Sequence, residues 1–301
     1  MRNIAAIVQT ARELGVAIPA FNVPYLPMME PVVRAVAKAD SFAMVDTARL
    51  EWIKFESQGP EAVATEFERC GDRRYVRLHL DHVPVVDEDG EKVDFMPIFR
   101  RALDCGYESV MVDGSRLGLH ENIEATRAVA GLATPYGVPV EAELGAVLGH
   151  EAGPLPSYEE LYESGRGFTD VAEAVRFVRE TGCTWLSVAI GNVHGAIAAG
   201  RREQKKVEAR LHLERLDALY AGTGVPLVLH GGSGVRQEDL LGAVRRGIAK
   251  VNVATEIRQA YETTLKETGS VGAAQDAVFE RTSWLLNEYF AIGGVRRALT
   301  G

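Results

Sequence analysis

The sequence predicts an α/β protein built as a (β/α)8 barrel with additional C-terminal helices, and three observations point there. Apolar runs of strand length recur along the chain, the stretches between them carry helical periodicity, and the runs lead into polar, mostly ligand-type residues. A barrel of parallel strands opens all its strand C-termini onto one face, where such residues would gather.

Residues 1–15 read as a helix across the barrel bottom, with too little continuous apolar length for the core of a signal peptide. Val16–Phe21 is the first strand and runs into Asn22. Pro27–Lys38 follows as a helix, and Phe42–Val45 is the second strand, ending at Asp46 and Thr47. Glu61–Cys70 is helical, and Tyr75–Leu80 is the third strand, delivering Asp81 and His82. A polar interruption over 84–92 carries a turn signal at Asp89-Gly90. The helix after it, Asp94–Cys105, places Phe95, Ile98, Phe99 and Leu103 on one face. Ser109–Val112 is the fourth strand and leads to Asp113; Asn122–Ala133 is the helix that follows. Val138–Ala142 is the fifth strand and leads to Glu143.

Residues 149–167, with Gly and Pro at their start and middle, predict a mobile active-site loop holding a short helix near Tyr158–Ser164. Thr169-Asp170 caps a helix over Val171–Thr181, and Trp185–Ile190, the sixth strand, leads through a short loop to His194. Residues 200–210 concentrate Arg201, Arg202, Lys205, Lys206 and Arg210, either as a solvated face or as a local anion site. Leu211–Tyr220 is helical, and Val225–Leu229, the seventh strand, ends at His230. Gly231-Gly232-Ser233-Gly234 then precedes a helix starting at Gln237-Glu238-Asp239, and Ala249–Val253 is the eighth strand. Residues 257–301 exceed one barrel helix and form a terminal helical extension. Its apolar face of Trp284, Leu285, Leu286, Tyr289 and Phe290 suits a dimer interface or a cover for the barrel base. The whole span 1–301 reads as a single domain.

The net charge of −9 disfavours a nonspecific nucleic-acid binder, although a local basic cluster still suffices for one phosphate. No run approaches the ~20 apolar residues of a membrane span. Cys70, Cys105 and Cys183 are widely spaced and odd in number, so they read as reduced thiols of a cytoplasmic protein.

His82, His194 and His230 are three of seven histidines, and strand order puts them on the same barrel face. Three imidazoles with one open position make a zinc site fit for Lewis-acid chemistry. Asp113 and Glu143, on the strands between, could hold a metal in an alternate position or orient the histidines. Glu141 lies two residues before Glu143 and shares its face, where it is placed to pair with Lys250 or another basic group. The glycine-rich stretch after His230 and the Asn252 and Thr255 pair after the last strand together form a phosphate cradle.

The segments His79–His82, Ser109–Ser115, Val140–Gly145, Ala189–Gly195, Leu229–Gly234 and Lys250–Glu256, in this order over residues 15–265, resemble class II ketose-bisphosphate aldolases of the fructose/tagatose-bisphosphate type. The resemblance implies reversible cleavage of a ketose phosphate or bisphosphate to dihydroxyacetone phosphate and an aldehyde. It implies Zn2+, or another divalent metal, on His82, His194 and His230, with room for a monovalent cation. Asp81 would be the proton donor to the aldehyde oxygen in condensation and Glu151 the mobile-loop glutamate, while Asp113 and Glu143 match alternate metal positions. Gly195, Gly231, Ser233, Asn252 and Thr255 match positions that hold the ketose phosphate. Asn22, Asp46, Thr47, Arg201 and Arg202 stand as candidate distal substrate contacts. A homodimer or higher homo-oligomer is expected, with no nucleic-acid or membrane partner.

The chain departs from the pattern at 149–153, in the insertion after His82, at Pro24-Tyr25-Leu26 and at 196–200, all of them near where the aldehyde half would lie. Alternatives therefore stay open: an aldolase for an unusual or nonphosphorylated aldehyde, a metal-dependent sugar epimerase or isomerase, and a metabolite-binding protein.

Overall fold

Successive side chains on a strand point to opposite faces, so a strand in a closed barrel sorts its residues into an inner and an outer set. The computed structural model, which describes residues 2–147, 158–194, 209–232 and 234–301, shows this sorting along most of each strand. The strands are β1 (Ile18–Asn22), β2 (Ala43–Ala48), β3 (Val76–Pro84), β4 (Ser109–Asp113), β5 (Val140–Leu144), β6 (Trp185–Val188), β7 (Leu227–Leu229) and β8 (Ile248–Val253). They pair in parallel and in sequence order, with β8 returning to β1 to close the barrel.

The outer set is apolar: Phe21, Val45, Leu78, Val110, Ala142, Leu186, Leu229 and Val251 share one buried cluster with the facing sides of the surrounding helices. The inner set changes character along the barrel axis. At the strand starts, Ile18, Ala20, Phe42, Met44, Trp185 and Val228 form a second buried cluster. It is sealed by Ile4, Ile7, Val8 and Ala11 of the helix α1 (Ile4–Leu14), as expected of a helix across the base, and by Leu299. Toward the strand ends the inner positions turn polar, with Asn22, Asp46, His79, Asp81, Glu141, Glu143, His230, Lys250 and Asn252 all buried.

The helices between strands are α2 (Met29–Lys38), α3 (Arg49–Lys54), α4 (Pro60–Cys70), α5 (Phe95–Asp104), α6 (Leu119–Ala133), α7 (Tyr158–Ser164), α8 (Val171–Thr181), α9 (Leu213–Thr223) and α10 (Gln237–Val244). Helix α3 is absent from the sequence reading; its start is held by the Glu51 carboxylate, which accepts from the Ala48 N–H at 2.9 Å. The insertion after β3 folds back on itself through a bridge between Val86 and Lys92, and Asp87 ties it to Arg49 at 3.4 Å.

Beyond β8 lie α11 (Thr255–Thr268), α12 (Val271–Trp284) and α13 (Arg296–Thr300). The apolar tail face is largely consumed within the chain: Leu285, Leu286 and Phe290 are 2%, 0% and 4% exposed, while Trp284 is open at 43%. A π-helical turn over Leu285–Tyr289 breaks the preceding periodicity, and the Tyr289 hydroxyl reaches the Val235 carbonyl at 2.6 Å. Among the described residues, no helix is long and apolar enough to cross a membrane.

Candidate metal centre and active site

The polar upper half of the barrel begins with an irregularity. Adjacent residues of a regular strand face opposite ways, yet Asp81 and His82 both serve the barrel mouth. Between β3 and β4 the register advances from Leu80 opposite Val110 to Val83 opposite Val112, so β3 carries one extra residue. Such a bulge re-aims side chains, and here it accounts for two consecutive residues turning to one site.

His82, His194 and His230 converge, with one ring nitrogen from each lying within 4.8 Å of the others. Each ring is oriented through its other nitrogen. His82 Nδ1 lies 3.0 Å from Asp113 Oδ2, His194 Nδ1 3.0 Å from the Val147 carbonyl, and His230 Nε2 2.8 Å from Glu141 Oε1. An acceptor on the outer nitrogen favours the tautomer that leaves a lone pair on the inner one, which is how metal-binding histidines are held. His82 Nε2 and His230 Nδ1, the inner nitrogens of their rings, lie 2.7 Å apart.

Beneath the histidines lies a charged layer. Lys250, fully buried, donates to Glu141 Oε2 at 2.9 Å and to Asn252 Oδ1 at 2.7 Å, which confirms the expected Glu141–Lys250 pair. With its carbonyl oxygen so engaged, Asn252 turns its amide group to Asp81 Oδ1 at 2.9 Å and Asp46 Oδ2 at 3.2 Å. Asn22 donates to the other Asp81 oxygen at 2.8 Å. Burial works against the Asp81 carboxylate, but positive charge on His82, His230 and Lys250 outweighs it and holds the group well below its usual range. Asp113, half-buried at the cleft, is likewise held down by its bond to His82. Glu141 is brought to about 2 because Lys250 and His230 overcome its burial. Burial and the neighbouring Asp113 instead push Glu143 up to about 8, and burial raises Asp46. The centre therefore holds ionised carboxylates in excess over its one ammonium, a balance that either a protonated imidazole or a divalent cation offsets. Nitrogen donors backed by fixed acceptors, in a field of excess negative charge, fit a divalent metal.

His82 and His194 open into a cleft of about 370 Å³ lined also by Asp113, Glu143, Ala48, Leu50, Pro84, Glu88, Ser115 and Arg116. Asn22, Asp46 and Thr47, read from sequence as distal contacts, are buried in the barrel and are not among these lining residues. Gly231 and Thr255 follow the adjacent strands β7 and β8, and the loop after β7 is tied to β8 by a bond from the Gly232 N–H to the Asn252 carbonyl at 3.0 Å. Gly232 admits no side chain, since a Cβ there would stand 2.3 Å from Val251 Cγ1. Glu151, Gly195, Arg201, Arg202 and Ser233 lie outside the described residues.

The sequence reading passed over several residues. Asn192 accepts from the Ile190 N–H and donates to the His230 carbonyl at 3.0 Å, fixing the end of β6 to that of β7. His79, with Nδ1 2.8 Å from Ser109 Oγ, completes the buried layer. Glu88 and Arg116 reach the cleft from the loops after β3 and β4. Position just past a strand end was the signal for both.

A sequence profile described as fructose-bisphosphate aldolase class-II matches residues 2–291. Similar proteins include a fructose-bisphosphate aldolase of Streptococcus pyogenes, 32% identical over 278 residues that cover 91% of this chain and 85% of that one. Another is a 6-phospho-5-dehydro-2-deoxy-D-gluconate aldolase of Bacillus velezensis, 33% identical over 247 residues that cover 81% and 76%. The solved YdjI aldolase of Escherichia coli K12 matches with a TM-score of 0.75 at 28% identity, covering 97% of this chain and 98% of that one.

Proposed function

Because the chain belongs to the class II fructose-bisphosphate aldolase family and is thus a metal-dependent aldolase, we propose that it cleaves a ketose phosphate or bisphosphate reversibly to dihydroxyacetone phosphate and an aldehyde, with His82, His194 and His230 holding Zn2+. The observation that carries this reading is the convergence of three imidazoles whose outer nitrogens are each held by a fixed acceptor. Zn2+ bound there would supply Lewis-acid polarisation of the ketose carbonyl and stabilise the charge that develops on oxygen during cleavage.

The chain's own residues move the protons. In cleavage, Asp81 takes the C4 hydroxyl proton as the C3–C4 bond breaks; in condensation it returns a proton to the aldehyde oxygen. Asn22 and Asn252 donate one amide N–H to each Asp81 oxygen, which supports an ionised, oriented base. Glu151 exchanges the C1 proton of dihydroxyacetone phosphate. Gly195, Gly231, Ser233 and Thr255 hold the phosphate, with Asn252 engaged chiefly in orienting Asp81. Asp113 and Glu143 orient His82 and offer oxygens for a second metal position, and a monovalent cation is a further candidate cofactor. Arg201 and Arg202 approach the distal end of the substrate, and the protein works in the cytoplasm as a homodimer or larger homo-oligomer. The two relatives are named for different substrates, so the aldehyde half is not fixed by family.

The test is release of dihydroxyacetone phosphate and aldehyde from a panel of ketose phosphates that includes fructose 1,6-bisphosphate. Turnover should vanish on chelation and return with Zn2+. Release that is indifferent to chelator would reject the metal-dependent reading.

A further inference from the structure

We propose that Arg116 selects the aldehyde half of the substrate by pairing with an anionic group, phosphate or carboxylate, at its far end; this rests on the aldolase reading above. Among the described residues lining the cleft, Arg116 is the single lysine or arginine, and it shares that lining with His82, His194, Asp113 and Glu143. An acidic floor repels an anionic substrate, so recognition of one requires a cation placed locally on the wall.

The backbone that carries Arg116 is fixed to the metal centre itself. Asp113, whose Oδ2 lies 3.0 Å from His82 Nδ1, accepts through Oδ1 from the Ser115 N–H at 3.0 Å and the Ser115 hydroxyl at 2.6 Å. The Leu117 N–H closes the turn onto the Gly114 carbonyl at 2.9 Å. Gly114 packs so tightly that a Cβ there would stand 2.2 Å from Asn122 Oδ1, and Asn122 in turn donates to the Glu143 carbonyl at 2.9 Å.

Arg116 thus rises from a turn clamped on both sides to acids of the site. Its side chain is exposed and forms no ion pair among the described residues, so its donors remain available in a fixed neighbourhood. A guanidinium offers two parallel N–H donors to a carboxylate or phosphate, a geometry that an ammonium cannot reproduce. The walls at Ala48, Leu50 and Pro84 offer an anion nothing, and Glu88 is an acceptor suited to hydroxyls.

The experiment measures kcat/KM of the zinc-loaded full chain on three ketose 1-phosphates that differ only at the far end: phosphate, carboxylate or hydroxymethyl. Wild type, Arg116→Ala and Arg116→Lys are compared. Wild type should favour an anionic end, and Arg116→Ala should lower the ratio of anionic to neutral kcat/KM by about 10- to 100-fold. Arg116→Lys should restore part of that ratio, and the preferred anion identifies phosphate or carboxylate as the source. A wild type without anionic preference, or a ratio unchanged in Arg116→Ala, would overturn the proposal while leaving the aldolase reading intact. No cleavage of any ketose phosphate, together with no exchange of the C1 proton of dihydroxyacetone phosphate, would overturn both.

Discussion

Lys250→Met removes the ammonium buried beneath the site and leaves the Glu141 carboxylate and the Asn252 carbonyl oxygen without the donor that each has at 2.9 and 2.7 Å. Removing one partner of a buried ion pair costs about 3–5 kcal/mol, because the remaining charge stays out of water. Both partners are fully buried, so solvent does not screen the loss. Glu141 is held down to about 2, so its contribution is present above its unfolded value of ~4.3 and is lost as pH falls through about 2. Lys250 is raised by Glu141 against the opposing effect of burial, so its contribution is present below its unfolded value of ~10.4 and is lost only as pH rises beyond it. Between those limits the pair contributes evenly.

His79 modifies that expectation in the variant. Its pKa is held down to about 3 by burial and then by Lys250, and its Nε2 lies 3.8 Å from Glu141 Oε2. With Lys250 gone, His79 can take up a proton and replace part of the missing charge, so the deficit should be smaller at about pH 5.5 than at about pH 8. Urea unfolding of metal-free wild type, Lys250→Met and Lys250→Met/Glu141→Gln measures it. The double variant should recover part of the loss because the unpaired charge is gone. A Lys250→Met deficit below about 1 kcal/mol, or one that grows as pH falls, would refute the argument.

His230→Ala should fold but lose its metal and nearly all cleavage, since it removes a ring whose outer nitrogen is fixed by Glu141; elemental analysis beside turnover checks this, and full metal content with full turnover would contradict it. Asp81→Ala should keep its zinc while kcat falls by about 10²–10⁴-fold, the range for loss of a general acid–base, and an unchanged kcat would remove Asp81 from proton transfer. Gly232→Ala should destabilise by about 1–3 kcal/mol, because its Cβ would meet Val251 Cγ1 and the Asn252 carbonyl in a packed interior. A melting temperature equal to that of wild type would show that the loop yields.

Much of this was legible in the chain. The strands were visible because both faces of a parallel barrel strand are buried, which leaves apolar runs that stop where the polar mouth begins. Strand ends located His82, His194 and His230 on one face, and period-two spacing put Glu141 on the face of Glu143, where Lys250 meets it. The bulge in β3 was not legible: nothing in His79-Leu80-Asp81-His82 announces an extra residue, because the irregularity exists only relative to the register of β4. Asn252 reads from sequence as a phosphate contact alone, because spacing does not show its other partners. Its side chain contacts Lys250, Asp81 and Asp46, an arrangement set by partners on β2, β3 and β8 at once. How residues 285–290 pack was not legible for a local reason, since a π-helical turn alters which side of the helix each side chain faces.

The division of the barrel interior bears on how this protein would respond to selection. Its lower half, with Trp185, Phe42 and Met44 closed by α1, supplies cohesion and holds no candidate metal ligand among the described residues. The upper half confines Lys250, Glu141, His79 and Asp46, where apolar side chains of similar volume that replace the paired charges together would often be tolerated as well or better. A library screened for heat resistance alone should therefore accumulate replacements in the upper half and drift toward durable but inert proteins. One screened for turnover should leave that half untouched and gain its tolerance at the base and on the helices, where added stability does not compete with chemistry.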